Sequence, residues 1–244
     1  MNPRLTAATA ERVLRQIRHD PRTIALLLVV PCALIGLLAW TYQGTRVFDQ
    51  IGAPLLGVFP FVVMFLVTSV ATLRERQSGT LERLLTMPLG KGDLIGGYAL
   101  AFGLLAVLQA VIACGFAVWG LGLDIAGPAG LLLPVAAVDA LLGTALGLLV
   151  SAFAHSEFQA VQFLPAVVLP QFLLCGLLTP RDSLPAVLAH VSDVLPLSYA
   201  VDAMRTLTVS AGSSGDVLRD LLIVLGFVIA AVLLGSATLP RRTA

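Results

Sequence analysis

Apolar residues run along this chain in long stretches broken by short polar segments, not at the three- and four-residue intervals of a surface helix. A helix needs about 20 apolar residues to cross roughly 30 Å of hydrocarbon. Six stretches reach that length, at about 23–41, 51–73, 94–120, 131–152, 160–180 and 218–239. Trp40, Tyr42 and Trp119 stand at stretch ends, where amphipathic rings favour the membrane–water interface. Trp40-Thr41-Tyr42 follows the first stretch where a signal peptide would have small residues, so that stretch reads as a retained span. Pro165 and Pro170 interrupt the fifth and blur its limits. The expected fold is an all-α integral membrane protein with six transmembrane helices. It divides into an amphipathic interfacial segment, 1–22, and a six-span domain, 23–244.

Three segments outside the spans carry their own pattern. Residues 4–19 set Leu5, Val13, Leu14 and Ile17 among Arg12, Arg15 and Arg18, and end at Asp20-Pro21. That pattern predicts an interfacial helix with a basic face toward anionic headgroups. Between the second and third spans, 74–90 is dense in charge, with Leu81, Leu84 and Leu85 on one helical face and Glu75, Arg76, Glu82 and Arg83 around them. A charge at the bilayer centre costs about 2.5–3.5 kcal/mol, so this segment is expected as a short amphipathic helix on the membrane rim. In the loop 181–217, Ser183 is expected to cap a helix carrying Leu184, Val187, Leu188, Val191 and Leu195, stopped by Pro196. Tyr199–Leu207 is expected as a second short helix, completing a hairpin between spans five and six.

Charge sets the orientation. With the N-terminus inside, Arg4, Arg12, Arg15, Arg18, Arg22, Arg74, Arg76, Arg83, Lys91, Arg241 and Arg242 are cytoplasmic, and only Arg46, Arg181, Arg205 and Arg219 lie outside. The positive-inside rule therefore puts both termini in the cytoplasm. Hydrophobic residues form 58% of the chain and charged residues 12%, which excludes an ordinary soluble domain. Cys32, Cys114 and Cys175 lie in separate apolar stretches, odd in number and without metal-site spacing, and are expected as free thiols. Nothing points to a nucleic-acid partner. No internal repeat or low-complexity linker divides the chain.

The chemistry is sparse. Gly90-Lys91-Gly92-Asp93 lacks the earlier glycine and the Ser or Thr of a phosphate-binding loop, so no nucleotide site is expected on this chain. His19, His155 and His190 neighbour no Ser or Cys nucleophile, so no catalytic or metal site is expected. Asp139 is the one ionisable residue deep within a span. It is either a functional acid facing a wet cavity or a packing element hydrogen-bonded to Gln109 or Thr144. Gly143, Gly147 and Ser151 form a small-residue stripe suited to close helix approach. Gln162, Gln171, Phe163 and Phe172, with Phe59 and Phe65, offer aromatic surface with a few polar groups for an amphipathic molecule, or ordinary interhelical packing.

Two stretches carry a family resemblance. Glu75-Arg76, Gly79-Thr80-Leu81-Glu82, Leu85 and Pro88 are similar to the cytoplasmic coupling segment of the type-2 ABC exporter permeases. Leu195-Pro196-Leu197-Ser198-Tyr199-Ala200-Val201-Asp202-Ala203-Met204-Arg205 resembles that family's outer stretch before the last span, with a Gly176…Pro180 break ahead of it. Gly97-Tyr98 departs from the Gly-Lys of many relatives. The layout most resembles the daunorubicin-resistance permeases. The resemblance implies a permease subunit in a bacterial inner membrane that exports a drug, antibiotic or lipid-like molecule. It implies two permease subunits paired above two separate ATPase subunits, which hold the ATP and Mg, and no cofactor on this chain. It also implies that Glu75, Arg76, Gly79, Thr80, Leu81, Glu82 and Leu85 meet the ATPase. The competing reading is a proton-coupled carrier working through Asp139, or a membrane scaffold.

Overall fold

The computed structural model describes residues 2–45, 47–77, 91–209 and 214–238. Among these residues the structure is all helical, with no strand, and six helices are long and apolar enough to cross a membrane.

Helix α1 spans Pro3–Arg18, with the Asn2 side chain accepting from the Arg4 N–H and proline opening the first turn. Its buried residues Thr9, Ala10, Val13 and Ile17 share one face. Asp20 starts the next helix, α2 (Pro21–Thr41), by accepting from the backbone N–H of Arg22 and Thr23 and from the Thr23 hydroxyl. The Thr23 hydroxyl and backbone hydrogen bonds hold the Asp20 carboxyl below its ordinary range.

Pro31 lies inside α2 and has no N–H to give the carbonyl of Leu27, four residues back. Gln109 supplies it: its Nε2 donates to the Leu27 oxygen at 2.8 Å, from a fully buried position on α4 (Lys91–Gly115). Gln109→Leu is therefore expected to lower thermal stability in detergent by about 1–3 kcal/mol, the cost of an orphaned buried carbonyl. Pro31→Ala added to it restores a backbone donor and should recover most of that loss. A double variant no more stable than the single one would contradict the assignment.

Helix α3 spans Val47–Gln77, and its 31 residues reach about 46 Å, well beyond one hydrocarbon core. Helix α4 closes with a π turn, Phe116–Gly120. A 3-10 turn, Ala129–Leu131, leads into α5 (Leu132–Ser151). Helix α6 (Glu157–Leu174) runs through Pro165 and Pro170 without a break and ends short of the expected 180, where Gly176 turns the chain at a φ of 90°. Two short helices follow, α7 (Ala186–Val194) and α8 (Pro196–Val209), and then α9 (Ser214–Thr238).

The core is the pair α3–α5, the most buried of the spanning helices. A Cβ on Gly143 would overlap the carbonyl oxygen of Phe61, and one on Gly147 would lie 2.6 Å from that of Phe65. The expected small-residue stripe is thus the seam on which two backbones touch. Helix α1 meets α4 in the same way, because a Cβ on Gly97 would stand 2.5 Å from Cβ of Thr9.

Three expectations are corrected. Residues 74–77 are the last turn of α3 and do not begin a separate helix. The rest of the 74–90 segment, with Gly79, Thr80, Leu81, Glu82 and Leu85, lies outside the described residues. Ser183 caps nothing: its hydroxyl donates to the Pro180 carbonyl within a 3-10 turn, and α7 begins after Pro185. Leu184 precedes a proline, which disfavours helical backbone there, and it is extended with ψ 146°. Leu195, before Pro196, is extended for the same reason.

Candidate functional site

The polar end of α3 is the densest cluster of side-chain bonds near the chain's cationic segments. Successive helical residues point about 100° apart, so four consecutive residues reach four directions. Arg74 makes a two-pronged pair with Glu157, the first residue of α6, at 2.8 and 2.9 Å. Both side chains are about half exposed, so this pair is worth less than ~1 kcal/mol. Arg76 donates to the Ser151 carbonyl at the end of α5, and Gln77 Nε2 donates to the His155 carbonyl at 2.8 Å.

Glu75 turns the other way and is buried. Arg12 of α1 grips it at both oxygens, Nη1 to Oε1 at 2.8 Å and Nη2 to Oε2 at 3.0 Å. The same Nη2 lies 3.0 Å from the Tyr98 hydroxyl on α4, and the guanidinium sits 5.9 Å from that ring's centroid. The sequence set Arg12 on a face toward lipid headgroups and Glu75 toward the ATPase; within the chain the two side chains hold each other. At the start of α4, the Asp93 carboxylate accepts from the Asn2 backbone N–H at 2.6 Å. The last turn of α3 and the first of α4 flank residues 78–90, and both are pinned, one to α1 and to the α5–α6 junction, the other to α1.

Arg12, Tyr98 and Gln109 were not singled out from the sequence as site residues. A signal existed for Arg12: it lies three residues after buried Thr9 and one before buried Val13, on the edge of the apolar face. The non-lysine at 98 is the second signal, since an aromatic ring with a hydroxyl is what a half-buried arginine can use.

Asp139 is fully buried against α3, where Gly57 leaves the room its carboxyl occupies. Neither carboxyl oxygen has a hydrogen-bond partner among the described residues. The two expected partners are engaged elsewhere, Gln109 with Leu27 and Thr144 with the Ala140 carbonyl. Phe65 is wholly buried in the α3–α5 seam, and Phe59, Phe163 and Phe172 pack half-buried around the same apolar cluster. Gln171 is buried, with Nε2 on the Val167 carbonyl and Oε1 facing the Leu197 N–H at 3.4 Å, while Gln162 is exposed. The aromatic candidates thus share one cluster, and Gln162 stands outside it.

At the opposite end of α3, Arg181 bridges Asp193 of α7 and Asp202 of α8, and lies 5.4 Å from the centroid of the Tyr199 ring. Burial raises the Asp202 carboxyl above its ordinary range, and the hydrogen bond from Arg181 offsets part of that.

Among the described residues, a bundle of six membrane-length helices sewn at a glycine seam, with its ionisable groups near its ends save Asp139, defines a multi-pass membrane protein. The chain belongs to the ABC-2 type transporter family, whose model matches residues 4–209. Over 151 residues it is 26% identical to "Probable multidrug ABC transporter permease YbhR" of Escherichia coli, covering 62% of this chain and 41% of that one. It is 24% identical over 168 residues to "Linearmycin resistance permease protein LnrN" of Bacillus subtilis, covering 68% and 43%. It is also 27% identical over 161 residues to "ABC transporter G family member 20" of Dictyostelium discoideum, covering 66% and 22%. The chain therefore spans less than half the length of these curated relatives.

Proposed function

We propose that this chain is the membrane-spanning permease subunit of an ATP-driven exporter in the inner membrane, moving a lipophilic or amphipathic substrate outward. The observation that carries this reading is the family match over 4–209, joined to the pinned helix ends on either side of 78–90. The arginine distribution puts that end in the cytoplasm, where a separate ATPase subunit, holding ATP and Mg, docks on 78–90. Gly79, Thr80, Leu81, Glu82 and Leu85 form the contact, and Glu75 and Arg76 tie its motion to the bundle. Because Glu75 reaches α1 while Arg74 and Arg76 reach the α5–α6 junction, a push on 78–90 moves both groups with α3. Helix α1 lies at the lipid interface with its apolar face on α4.

The permease offers substrate two states of different affinity, and nucleotide binding on the partner sets their populations. A second permease subunit completes the pathway, along which the half-buried Phe59, Phe163 and Phe172 are the substrate-facing candidates and Asp139 is a packing element. The unpartnered Asp139 carboxyl is the one observation favouring the proton-coupled carrier instead.

The purified chain is expected to hydrolyse no ATP, and hydrolysis is expected to become substrate-sensitive only when an ATPase subunit is added. Sustained hydrolysis by the chain alone, free of contaminating ATPase, would overturn the reading.

A further inference from the structure

The end of the bundle opposite the α1 node holds two cavities that share one wall residue, Arg205. One, about 620 Å³, is polar and is lined by Arg181, Asp182, Asp193, Asp202 and Arg205. The other, about 270 Å³, is mainly apolar and runs along the start of α3 past Ile51, Pro54, Leu177, Val201 and Val209.

The charges of the polar cavity divide unequally. Arg181 is used twice, by Asp193 and by Asp202. Arg205 makes one long hydrogen bond, 3.4 Å to the Gly176 carbonyl, and otherwise acts on Asp202 through space. Among the described residues neither Arg205 nor Asp182 forms an ion pair, although both face the same space. The two guanidiniums and three carboxylates of the cavity sum to −1. A cationic group is therefore drawn toward Asp182, while an anionic group finds at Arg205, which acts on Asp202 only through space, a donor fork with no short ion pair. The apolar cavity beyond Arg205 suits a hydrocarbon chain attached to a group carrying both signs.

We propose that these adjoining cavities seat an amphipath with a zwitterionic headgroup, its anionic part on Arg205, its cationic part toward Asp182, and the start of one apolar chain along Ile51, Pro54 and Leu177. A membrane phospholipid and a transported amphipath share this chemistry. The inference goes beyond the transport reading, since the site needs no ATP to fill and is measured on binding alone.

The test is retention of defined lipids by the purified, delipidated full chain, read by native mass spectrometry. Phosphatidylethanolamine is the zwitterionic probe, phosphatidylglycerol the anionic one and a double-chain trimethylammonium lipid the cationic one. The expected result is retention of phosphatidylethanolamine about tenfold tighter than either other lipid, reduced about five- to tenfold by Arg205→Ala. Asp182→Asn, on an exposed turn whose change leaves the core intact, should remove the preference over phosphatidylglycerol. Soluble phosphoethanolamine should compete at least tenfold more weakly than the lipid, since it leaves the apolar cavity empty. Competition from an added transported amphipath, but not from phospholipid, would assign the site to cargo. Equal retention of the three lipids by the parent chain, unaltered binding in both variants, or soluble headgroup binding as tightly as lipid would each overturn the proposal. Loss of ATP-driven transport with this binding intact would count against the exporter reading and leave the site standing.

Discussion

Gly143→Val is expected to lose most of its folded, monodisperse yield and, where it survives, to melt well below the parent chain. The seam is the reason. Any Cβ at 143 overlaps the carbonyl oxygen of Phe61, and a backbone atom in the centre of a 31-residue helix has no rotamer through which to move aside. Helices α3 and α5 must separate, loosening the contacts of Phe61, Phe65 and Leu142 together. Overpacking of this kind costs about 1–3 kcal/mol where side chains can adjust, and this obstacle is backbone, so the upper end or beyond is expected. Gly226→Ala on α9 is the matched control: its Cβ would meet nothing within 4 Å, and it should melt at or above the parent temperature. Equal stability of Gly143→Val and the parent would mean that α3 and α5 are not in backbone contact.

The second large effect is expected at Glu75. Removing its carboxylate leaves the guanidinium of Arg12, about one-third exposed, without its two-pronged partner. Hydrogen bonds to charged groups of this kind are worth about 1.5–3 kcal/mol. If that energy holds the end of α3 against α1, its loss shifts the population of the docked arrangement by about 10–100-fold. Glu75→Ala, alone or with Arg76→Ala, should therefore keep membrane insertion but lose most ATP-driven transport and substrate stimulation of the ATPase. The exchange Arg12→Glu with Glu75→Arg rebuilds the pair in reverse and should recover part of the loss, whereas Arg12→Glu alone should be as poor as Glu75→Ala. Normal coupling in Glu75→Ala vesicles would reduce the node to a fastening for α1.

Much of this architecture was legible in the sequence because a bilayer enforces it. Hydrocarbon demands about 20 apolar residues per helix, so the six spans stand out at that length, and the stripe Gly143, Gly147, Ser151 marks the face that packs most closely. Local backbone rules were equally legible where they were applied. Leu184 and Leu195 are extended because each precedes a proline, and the same rule, applied to Pro185, would have moved the start of α7 past Ser183. What could not be read were pairings fixed only by the fold. Arg12 and Glu75 are 63 residues apart and Gln109 and Leu27 are 82 apart, and each pairing depends on how helices lie side by side. A charged residue in an amphipathic segment looks the same whether it faces water, lipid or a partner across the bundle. For Glu75, burial decided in favour of a partner within the chain.

The most direct test of the account is outward movement of an amphipathic fluorescent cation in vesicles carrying this chain. Four conditions are needed: with and without its ATPase subunit, and with and without an imposed pH gradient. Transport is expected only when ATPase and ATP are both present, unchanged by the gradient, and close to the parent rate in Asp139→Asn, which keeps the size and hydrogen-bonding capacity of the side chain inside its pocket beside Gly57. Transport by the chain alone, driven by the pH gradient and abolished in Asp139→Asn, would contradict the ATP-coupled reading and make the buried acid the working part.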